Sequence, residues 1–221
     1  FRQICGCSGR SDKVGVTMGV LVVAETEKGA RQLCAGARKL GDEVSLVALG
    51  DYVATGVADM VYHITVPKDA MLEDAAHDVE VLARSKGSNV VLLESTRRMK
   101  IVAGRIAWAF KTAAVVDVTA FEDGGVVASL YFGGLAVMRQ RPRGEVRVFV
   151  TSAAPFGDVE AFGSDIVEEV PFTGGTGKTK IVARDALPPK SVDLTACKRI
   201  VAAGRGFSEE GKLDGARQLA G

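Results

Sequence analysis

The sequence predicts an α/β protein with an open, largely parallel, doubly wound sheet that ends in antiparallel hairpins. Two observations support this class. From residue 18 to about residue 118, short apolar runs rich in β-branched residues alternate with stretches of helical apolar spacing. Such alternation gives parallel strands covered by helices. After residue 125, strand-like runs are separated only by glycine-rich or Pro-Arg-Gly turns, which predicts antiparallel hairpins.

The first five strands are continuous apolar runs, as expected for strands buried on both faces. They are predicted at Val20–Ala24, Val44–Leu49, Met60–Val66, Val90–Leu93 and Ala113–Val118. Apolar residues that recur every three or four positions predict the helices between them. The helices are predicted at Gly29–Leu40, from a cap at Asp69 to about Ser85, and at Met99–Lys111.

The rest of the chain contains shorter strands and then a new structural unit. The strands are predicted at Val126–Phe132, Leu135–Gln140, Val146–Thr151, Ile166–Val170 and Thr179–Ala183. The new unit is the first β-turn-α of a second domain: a strand at Arg199–Ala203, a Gly-Arg-Gly turn, and a helix at Glu209–Ala220.

Four segments follow from this pattern. Residues 1–17 are expected to be an extension or tag, because Met18 directly precedes the first strand. Residues 18–187 form the N-terminal α/β domain. Residues 188–197, with two adjacent prolines, form a linker. Residues 198–221 begin the second domain.

Composition excludes several classes of function. A net charge of +1 and an aromatic content of 6% favour neither nucleic acid nor a membrane surface as partner. No apolar run approaches the roughly 18 residues that span a bilayer, so we expect no membrane insertion and a cytoplasmic location. Cys5 and Cys7 have no second Cys/His pair at a suitable spacing, so no metal site is expected. No catalytic residue is predicted, since no carboxylate pair or Ser/His/Asp set stands out.

Two polar motifs are better explained as structure than as ligand sites. Gly174–Thr179 is similar to a P-loop, but the first glycine of that motif is replaced by Phe172, and a strand rather than a helix follows. A flexible turn that binds no nucleotide is therefore expected. Ser95–Arg98 follows the fourth strand, at the edge where such sheets bind ligands, but we favour a solvated helix start.

Two histidines and one tryptophan indicate a functional site less strongly than the motifs do. His63 and His77 are expected to be packed or exposed single histidines rather than catalytic bases. Trp108 is expected in the core or at a subunit interface rather than in a cofactor site.

Gly204, Arg205 and Gly206 are the candidate cofactor-binding residues. They follow a predicted strand and open a predicted helix, where free N–H groups and the helix dipole favour an anion. Glu209 replaces the third glycine of the dinucleotide-binding fingerprint, so a standard site of that type is not supported. An ordinary tight turn is the alternative.

Several segments, taken in order, carry a resemblance to one family. They are Gly19–Glu25, Val90–Arg98, Gly104–Ala107, Val116–Ala120, Tyr131–Ala136, Val192–Leu194 and Ile200–Gly206. Their order and spacing resemble those of the electron transfer flavoprotein alpha subunits, in the bacterial branch associated with carnitine metabolism and nitrogen fixation. The similarity covers residues 18–221.

The resemblance implies a function. Family members are heterodimers of alpha and beta subunits that take electrons from flavin dehydrogenases, such as the acyl-CoA dehydrogenases of fatty acid beta-oxidation, and pass them to a downstream acceptor. The chain would therefore be an electron carrier subunit rather than an enzyme. The expected partners are the beta subunit and flavin dehydrogenases.

The resemblance also implies a cofactor. FAD lies mainly in the C-terminal domain of the alpha subunit, a Rossmann-like domain that residues 198–221 would begin. The family's glycine-arginine-glycine turn maps onto Gly204, Arg205 and Gly206, with the arginine near the flavin. The family's later flavin-binding segments would lie beyond residue 221, so we expect FAD in the complete subunit and little or none in this fragment.

Two other functions remain open. The chain could be a nucleotide-binding or sensing domain of the universal-stress class, which would use the strand edge near Ser95–Arg98. It could also be a purely structural subunit domain.

Overall fold

The computed structural model describes residues 19–157, 159–174, 179–185, 197–207 and 209–220. These residues separate into two units, one within residues 1–182 and the other within residues 183–221. The predicted extension lies outside the described residues. So does the predicted linker, apart from Cys197.

In the first unit, nine described strands form one sheet in the order β7-β6-β5-β8-β4-β1-β2-β3-β9. The strands are β1 Gly19–Ala24, β2 Glu43–Leu49, β3 Met60–Ile64, β4 Val90–Glu94, β5 Ala114–Glu122, β6 Val126–Tyr131, β7 Ala136–Gln140, β8 Arg147–Thr151 and β9 Val167–Glu169. The central pairs are parallel, and the β5–β6 and β6–β7 pairs are antiparallel. The predicted mixed sheet is confirmed.

Helices cover both faces of this sheet. They are α1 Glu27–Ala37, α2 Ala76–Ser85, which a 3₁₀ turn at Leu72–Ala75 precedes, and α3 Arg97–Ala109. Side chains alternate along a strand, so Val20 and Val22 pack in the core that contains α1, whereas Leu21 and Val23 pack in the core that contains α2 and α3. The doubly wound arrangement follows directly from these wholly apolar strands.

The second helix does not begin at the predicted cap. Asp69 lies before the 3₁₀ turn, and its carbonyl oxygen accepts a hydrogen bond from the backbone N–H of Ile181. The backbone of Asp69 therefore pairs with the chain that follows β9 instead of starting the helix.

The predicted antiparallel pairing of the last hairpin strand is wrong. β8 lies between β4 and β5 and runs parallel to both. Its residues Val148, Phe149 and Val150 are all buried. An edge position would leave one side of this apolar strand unpaired, whereas the central position gives it a neighbour on both sides and a helix layer on both faces.

Two other predicted strands do not form. Residues 179–183 make only an isolated bridge, between Lys180 and Ala70. In the second unit, residues 199–203 are not a strand, and the helical segment consists of a 3₁₀ turn at Glu210–Leu213 and α4 at Asp214–Ala220. No described residue of this unit is buried. A strand needs hydrogen-bonded neighbours and an apolar face to cover, and the described part of this unit offers neither.

Candidate functional site

The edge where β1, β4 and β8 end is the usual ligand site of this kind of sheet. β1 leads into α1 through Glu25 and Thr26, and Thr26 is the N-cap of the helix. Its Oγ1 accepts a hydrogen bond of 3.0 Å from the backbone N–H of Gly29. In many such folds the backbone N–H groups of this turn bind a phosphate.

Here a carboxylate of the chain itself occupies that position. Oε2 of Glu94, the last residue of β4, accepts hydrogen bonds from the backbone N–H groups of Glu25 at 2.9 Å and Thr26 at 3.1 Å. Oε1 accepts a third bond of 2.6 Å from Thr26 Oγ1. The negative charge also lies at the positive end of the α1 dipole, where it is stabilising. Glu94 thus takes the place of an external anion.

Packing around Glu94 leaves little space for anything else. A Cβ atom on Gly29 would lie 2.3 Å from the Glu94 carboxyl group, so glycine is required there for the carboxylate to approach the helix. The remaining cavity at this edge has a volume of about 150 Å³. Pockets for nucleotide-sized ligands typically measure about 300–1,000 Å³. The edge is therefore closed.

The neighbouring polar motif is a helix start, as predicted. Thr96 is the N-cap of α3, and its Oγ1 accepts a hydrogen bond of 3.2 Å from the backbone N–H of Met99. Arg98 pairs with Glu25 at 2.8 Å, and Lys100 pairs with Asp117 at 2.7 Å. These ion pairs engage Arg98 and Lys100 within the fold.

The candidate cofactor turn lies in the second unit. The backbone N–H of Phe207 donates a hydrogen bond of 3.2 Å to the carbonyl oxygen of Gly204, which closes a tight turn around Arg205. A Cβ atom on either Gly204 or Gly206 would meet no atom within 4 Å. Packing among the described residues therefore does not require these glycines, and the backbone is open to approach from outside.

Gly174–Thr179 is the segment that is similar to a P-loop, and the structure describes only its two end residues. Residues 175–178, with the lysine that a P-loop would need, lie outside the described residues. Gly174 has a φ of +67°, and a Cβ atom there would lie 2.8 Å from the Phe172 ring. The absence of nucleotide binding at this loop stays a prediction.

Both histidines lie close to neighbouring groups of the fold. His63 is buried in β3; its Nδ1 lies 2.8 Å from Glu169 Oε1, and its Nε2 lies 2.9 Å from the Gly50 carbonyl oxygen. It therefore joins β3 to β9, as a packed histidine should. His77 is largely exposed on α2, with its Nδ1 3.8 Å from Glu80.

Cys34 and the potential metal ligands among the described residues form no reactive site. Burial raises the pKa of the Cys34 thiol to about 12, which makes it unreactive near neutral pH. Cys5 and Cys7 lie outside the described residues. Within the described ranges, no three His, Cys, Asp or Glu side chains are grouped to hold a metal ion.

The structure exposes two apolar surfaces. Trp108 is 84% exposed on α3, so the expectation that it could lie in the core is wrong, whereas an interface role stays open. The second surface is the end of the β6–β7 hairpin, where Phe132 and Leu135 are 76% and 91% exposed. The ring centroids of Tyr131 and Phe132 are 5.1 Å apart.

These features define a doubly wound α/β domain whose usual ligand edge is filled by its own side chains. The sequence profile described as "Electron transfer flavoprotein domain" matches residues 20–156, which cover the sheet from β1 to β8. The chain belongs to this family.

Curated relatives support the same assignment. The chain is 28% identical over 223 residues to "Protein FixB" of Escherichia coli (strain SE11), and 26% identical over 211 residues to "Protein FixB" of Salmonella agona (strain SL483). Each match covers 90% of this chain and 67% of the relative. The predicted resemblance to alpha-type electron transfer flavoproteins is confirmed. Among the described helices, none is both long and apolar enough to cross a membrane.

The Glu94 carboxylate should contribute measurably to stability. Glu94→Gln keeps the size of the side chain but removes its charge and places amide hydrogens near N–H donors. We expect the free energy of unfolding to fall by about 1–2 kcal/mol, the typical cost of losing a helix cap or a charged hydrogen bond. Urea unfolding measures the change.

Glu122→Gln is the matched control, because that carboxylate pairs with the side chain of Arg139 at an exposed position. Its effect should stay within about 0.5 kcal/mol. Equal effects of the two substitutions would contradict the role assigned to Glu94.

Proposed function

We propose that this chain is the alpha subunit of a heterodimeric electron transfer flavoprotein. It takes part in passing electrons from flavin dehydrogenases, for example acyl-CoA dehydrogenases, to a downstream acceptor. It acts as an electron carrier subunit rather than as an enzyme. Membership of the family and the similarity to alpha-type relatives support this role.

The observation that carries the subunit role is the exposed apolar end of the β6–β7 hairpin. Leu130 and Val137 are cross-strand partners, so their side chains lie on the same face of the sheet, and both are at least half exposed. Phe132 and Leu135 extend this surface through the turn. Contiguous exposed apolar side chains of this kind are typical of protein interfaces.

The position of the hairpin in the sheet supports the same role. β7 is the end strand of the described sheet, so its outer backbone groups are free to pair with another chain. An aromatic pair beside an open strand edge offers the large apolar anchors on which interfaces usually depend. We therefore assign this surface to the beta subunit.

The closed sheet edge disfavours the alternative function. A nucleotide-binding domain of the universal-stress class would need the backbone N–H groups of the turn between β1 and α1, and Glu94 accepts hydrogen bonds from two of them, those of Glu25 and Thr26.

FAD is the cofactor implied by this function, and Gly204, Arg205 and Gly206 are the residues proposed to meet it. The open space beside both glycines fits close approach by a ligand. When bound, FAD supplies the redox chemistry. The contribution of this chain would be a fixed positive charge at Arg205, since a guanidinium stays protonated and can stack or donate hydrogen bonds. Little or no FAD in this chain by itself stays a prediction.

The hairpin assignment can be tested with the beta subunit from the same source. Phe132→Ser combined with Leu135→Ser should weaken the complex by about 30-fold or more, because the loss of even one apolar anchor at an interface costs about 2 kcal/mol. Analytical ultracentrifugation of the mixed subunits measures the affinity.

The control is Val53→Ser combined with Val81→Ser, which removes two exposed apolar side chains elsewhere on the described surface. It should leave the affinity unchanged. If both double variants bind the beta subunit as the wild type does, the hairpin is not the interface. If the wild-type chain forms no complex at all, the heterodimer proposal fails.

The Arg205 proposal is tested in the alpha subunit loaded with FAD and joined to its beta partner. Reduced flavin gains negative charge that a nearby cation stabilises, so Arg205→Ala should lower the flavin reduction potential. The expected shift is about 60–120 mV, where about 59 mV corresponds to a tenfold change in a one-electron equilibrium. Arg205→Lys should retain part of the effect, because the charge remains but the planar fork is lost.

Potentiometric titration of the wild type and both variants gives these shifts. Unchanged potentials at full FAD occupancy would show that Arg205 is only a turn residue.

A further inference from the structure

His63 lies in β3 with both of its ring nitrogens close to oxygen atoms of neighbouring elements. Its Nδ1 lies 2.8 Å from Oε1 of Glu169 on β9, and its Nε2 lies 2.9 Å from the carbonyl oxygen of Gly50, in the loop after β2. The residue is only 8% exposed. A buried polar atom needs a hydrogen-bond partner of the opposite kind, so the two oxygens determine where the ring carries hydrogen.

These two oxygens require one hydrogen more than a neutral imidazole has. A carbonyl oxygen can only accept, so Nε2 must donate to Gly50. A neutral ring then has a lone pair at Nδ1, which would face the carboxylate of Glu169. The other neutral tautomer donates from Nδ1 but turns the Nε2 lone pair towards the carbonyl oxygen. Both contacts therefore form together only when the pair of His63 and Glu169 holds one extra proton, and imidazole is the stronger base of the two groups.

The strand that this pair holds is short and lies at an edge. β9 has three residues and is the end strand of the described sheet, so it has a neighbouring strand on one side only. Before β9, Ser164 Oγ donates a hydrogen bond of 2.6 Å to a backbone carbonyl oxygen next to β3. After β9, the backbone N–H of Thr173 donates a bond of 3.1 Å to Asp78. Between these two anchors, the ion pair of Glu169 with His63 attaches β9 to the sheet.

Among the described residues, the other neighbouring elements supply titratable groups that stay neutral or lie at the surface. β2 places the uncharged Ala48 beside His63. In the loop after β2, Asp51 is exposed, and Tyr52 donates its hydroxyl hydrogen to a carbonyl oxygen of β1. α1 packs on this face of the sheet with Cys34, and burial raises the pKa of that thiol to about 12. The carboxylate on β9 is therefore the charge that responds to the protonation of the ring.

We propose that His63 and Glu169 form a proton-dependent latch between β3 and β9. The latch is closed while both ring nitrogens of His63 carry hydrogen. Loss of one ring proton leaves a lone pair that repels the carboxylate, and Glu169 can turn into solvent because its side chain is 68% exposed. The attachment of β9 is therefore strongest at low pH and weakens as the pH rises. The latch belongs to the first unit and does not depend on the electron-carrier role.

Two NMR signals report the two halves of this proposal. The nitrogen chemical shifts of the imidazole show which ring nitrogens carry hydrogen. The chain has two histidines, so His77→Gln identifies the signals of His63. Hydrogen exchange of the Val170 amide reports the attachment of β9, because this N–H donates a bond of 2.8 Å to the His63 carbonyl oxygen. Both signals are followed from about pH 5.5 to about pH 8.5, the range in which imidazole groups commonly titrate.

At the low end of this range, both ring nitrogens of His63 should carry hydrogen. As one nitrogen loses its hydrogen, the protection factor of the Val170 amide should fall by about tenfold or more, the effect of losing one hydrogen bond to a charged group. Glu169→Gln should remove this dependence on pH, since an amide can donate to Nδ1 of a neutral ring while Nε2 donates to Gly50.

Glu168→Gln is the matched control. It removes the same charge from the neighbouring position of the same strand, but side chains alternate along a strand, so position 168 faces away from His63. This variant should keep the dependence on pH that the wild type shows.

Several outcomes would overturn the proposal. In the wild type, these are a ring of His63 with hydrogen on one nitrogen only throughout the range, a ring that keeps both hydrogens to its upper end, or a ring that loses one with no change at Val170. Equal behaviour of Glu169→Gln and Glu168→Gln would also overturn it. Circular dichroism verifies that the variants fold. If Glu169→Gln does not fold, the two wild-type signals decide the question.

Discussion

The contact between Glu94 and the start of α1 is the constraint on which this domain depends. It joins the end of β4 to the N–H groups that follow β1, so it fixes how the first helix leaves the sheet. It requires glycine at position 29, and it places a negative charge at a helix N-terminus, where that charge is stabilising. The same contact removes the position at which related folds bind phosphate. One carboxylate therefore accounts for both the local geometry and the lack of a ligand edge.

Most of the sheet could be predicted from local patterns. Continuous apolar runs identified β1 to β5 within a few residues of their bounds, because strands buried on both faces leave a strong signal. The position of β8 could not be predicted, since strand order depends on long-range packing and the turns before it suggested a hairpin. Residues 199–203 have the composition of a strand but form none, because composition does not supply a neighbouring strand.

The functional surfaces were harder to predict than the fold. The sequence indicated Ser95–Arg98 correctly as a helix start, but gave no sign that Glu94, directly before it, would reach Thr26, which is 68 residues away along the chain. The only available signal was a glycine in the first turn of a predicted helix. The Gly-Arg-Gly turn was indicated by its predicted position between a strand and a helix and by the family resemblance, and its role stays a proposal.

The chain closes its own ligand edge, and calorimetric titration of the wild-type chain with ATP and Mg²⁺ checks this. No saturable heat is expected, because the Glu94 carboxylate accepts hydrogen bonds from the backbone N–H groups of Glu25 and Thr26, and the cavity beside it measures only about 150 Å³. Saturable binding that perturbs the backbone amide NMR signals of Thr26 and Gly29 would show that the edge is open and that Glu94 does not take the place of an external anion.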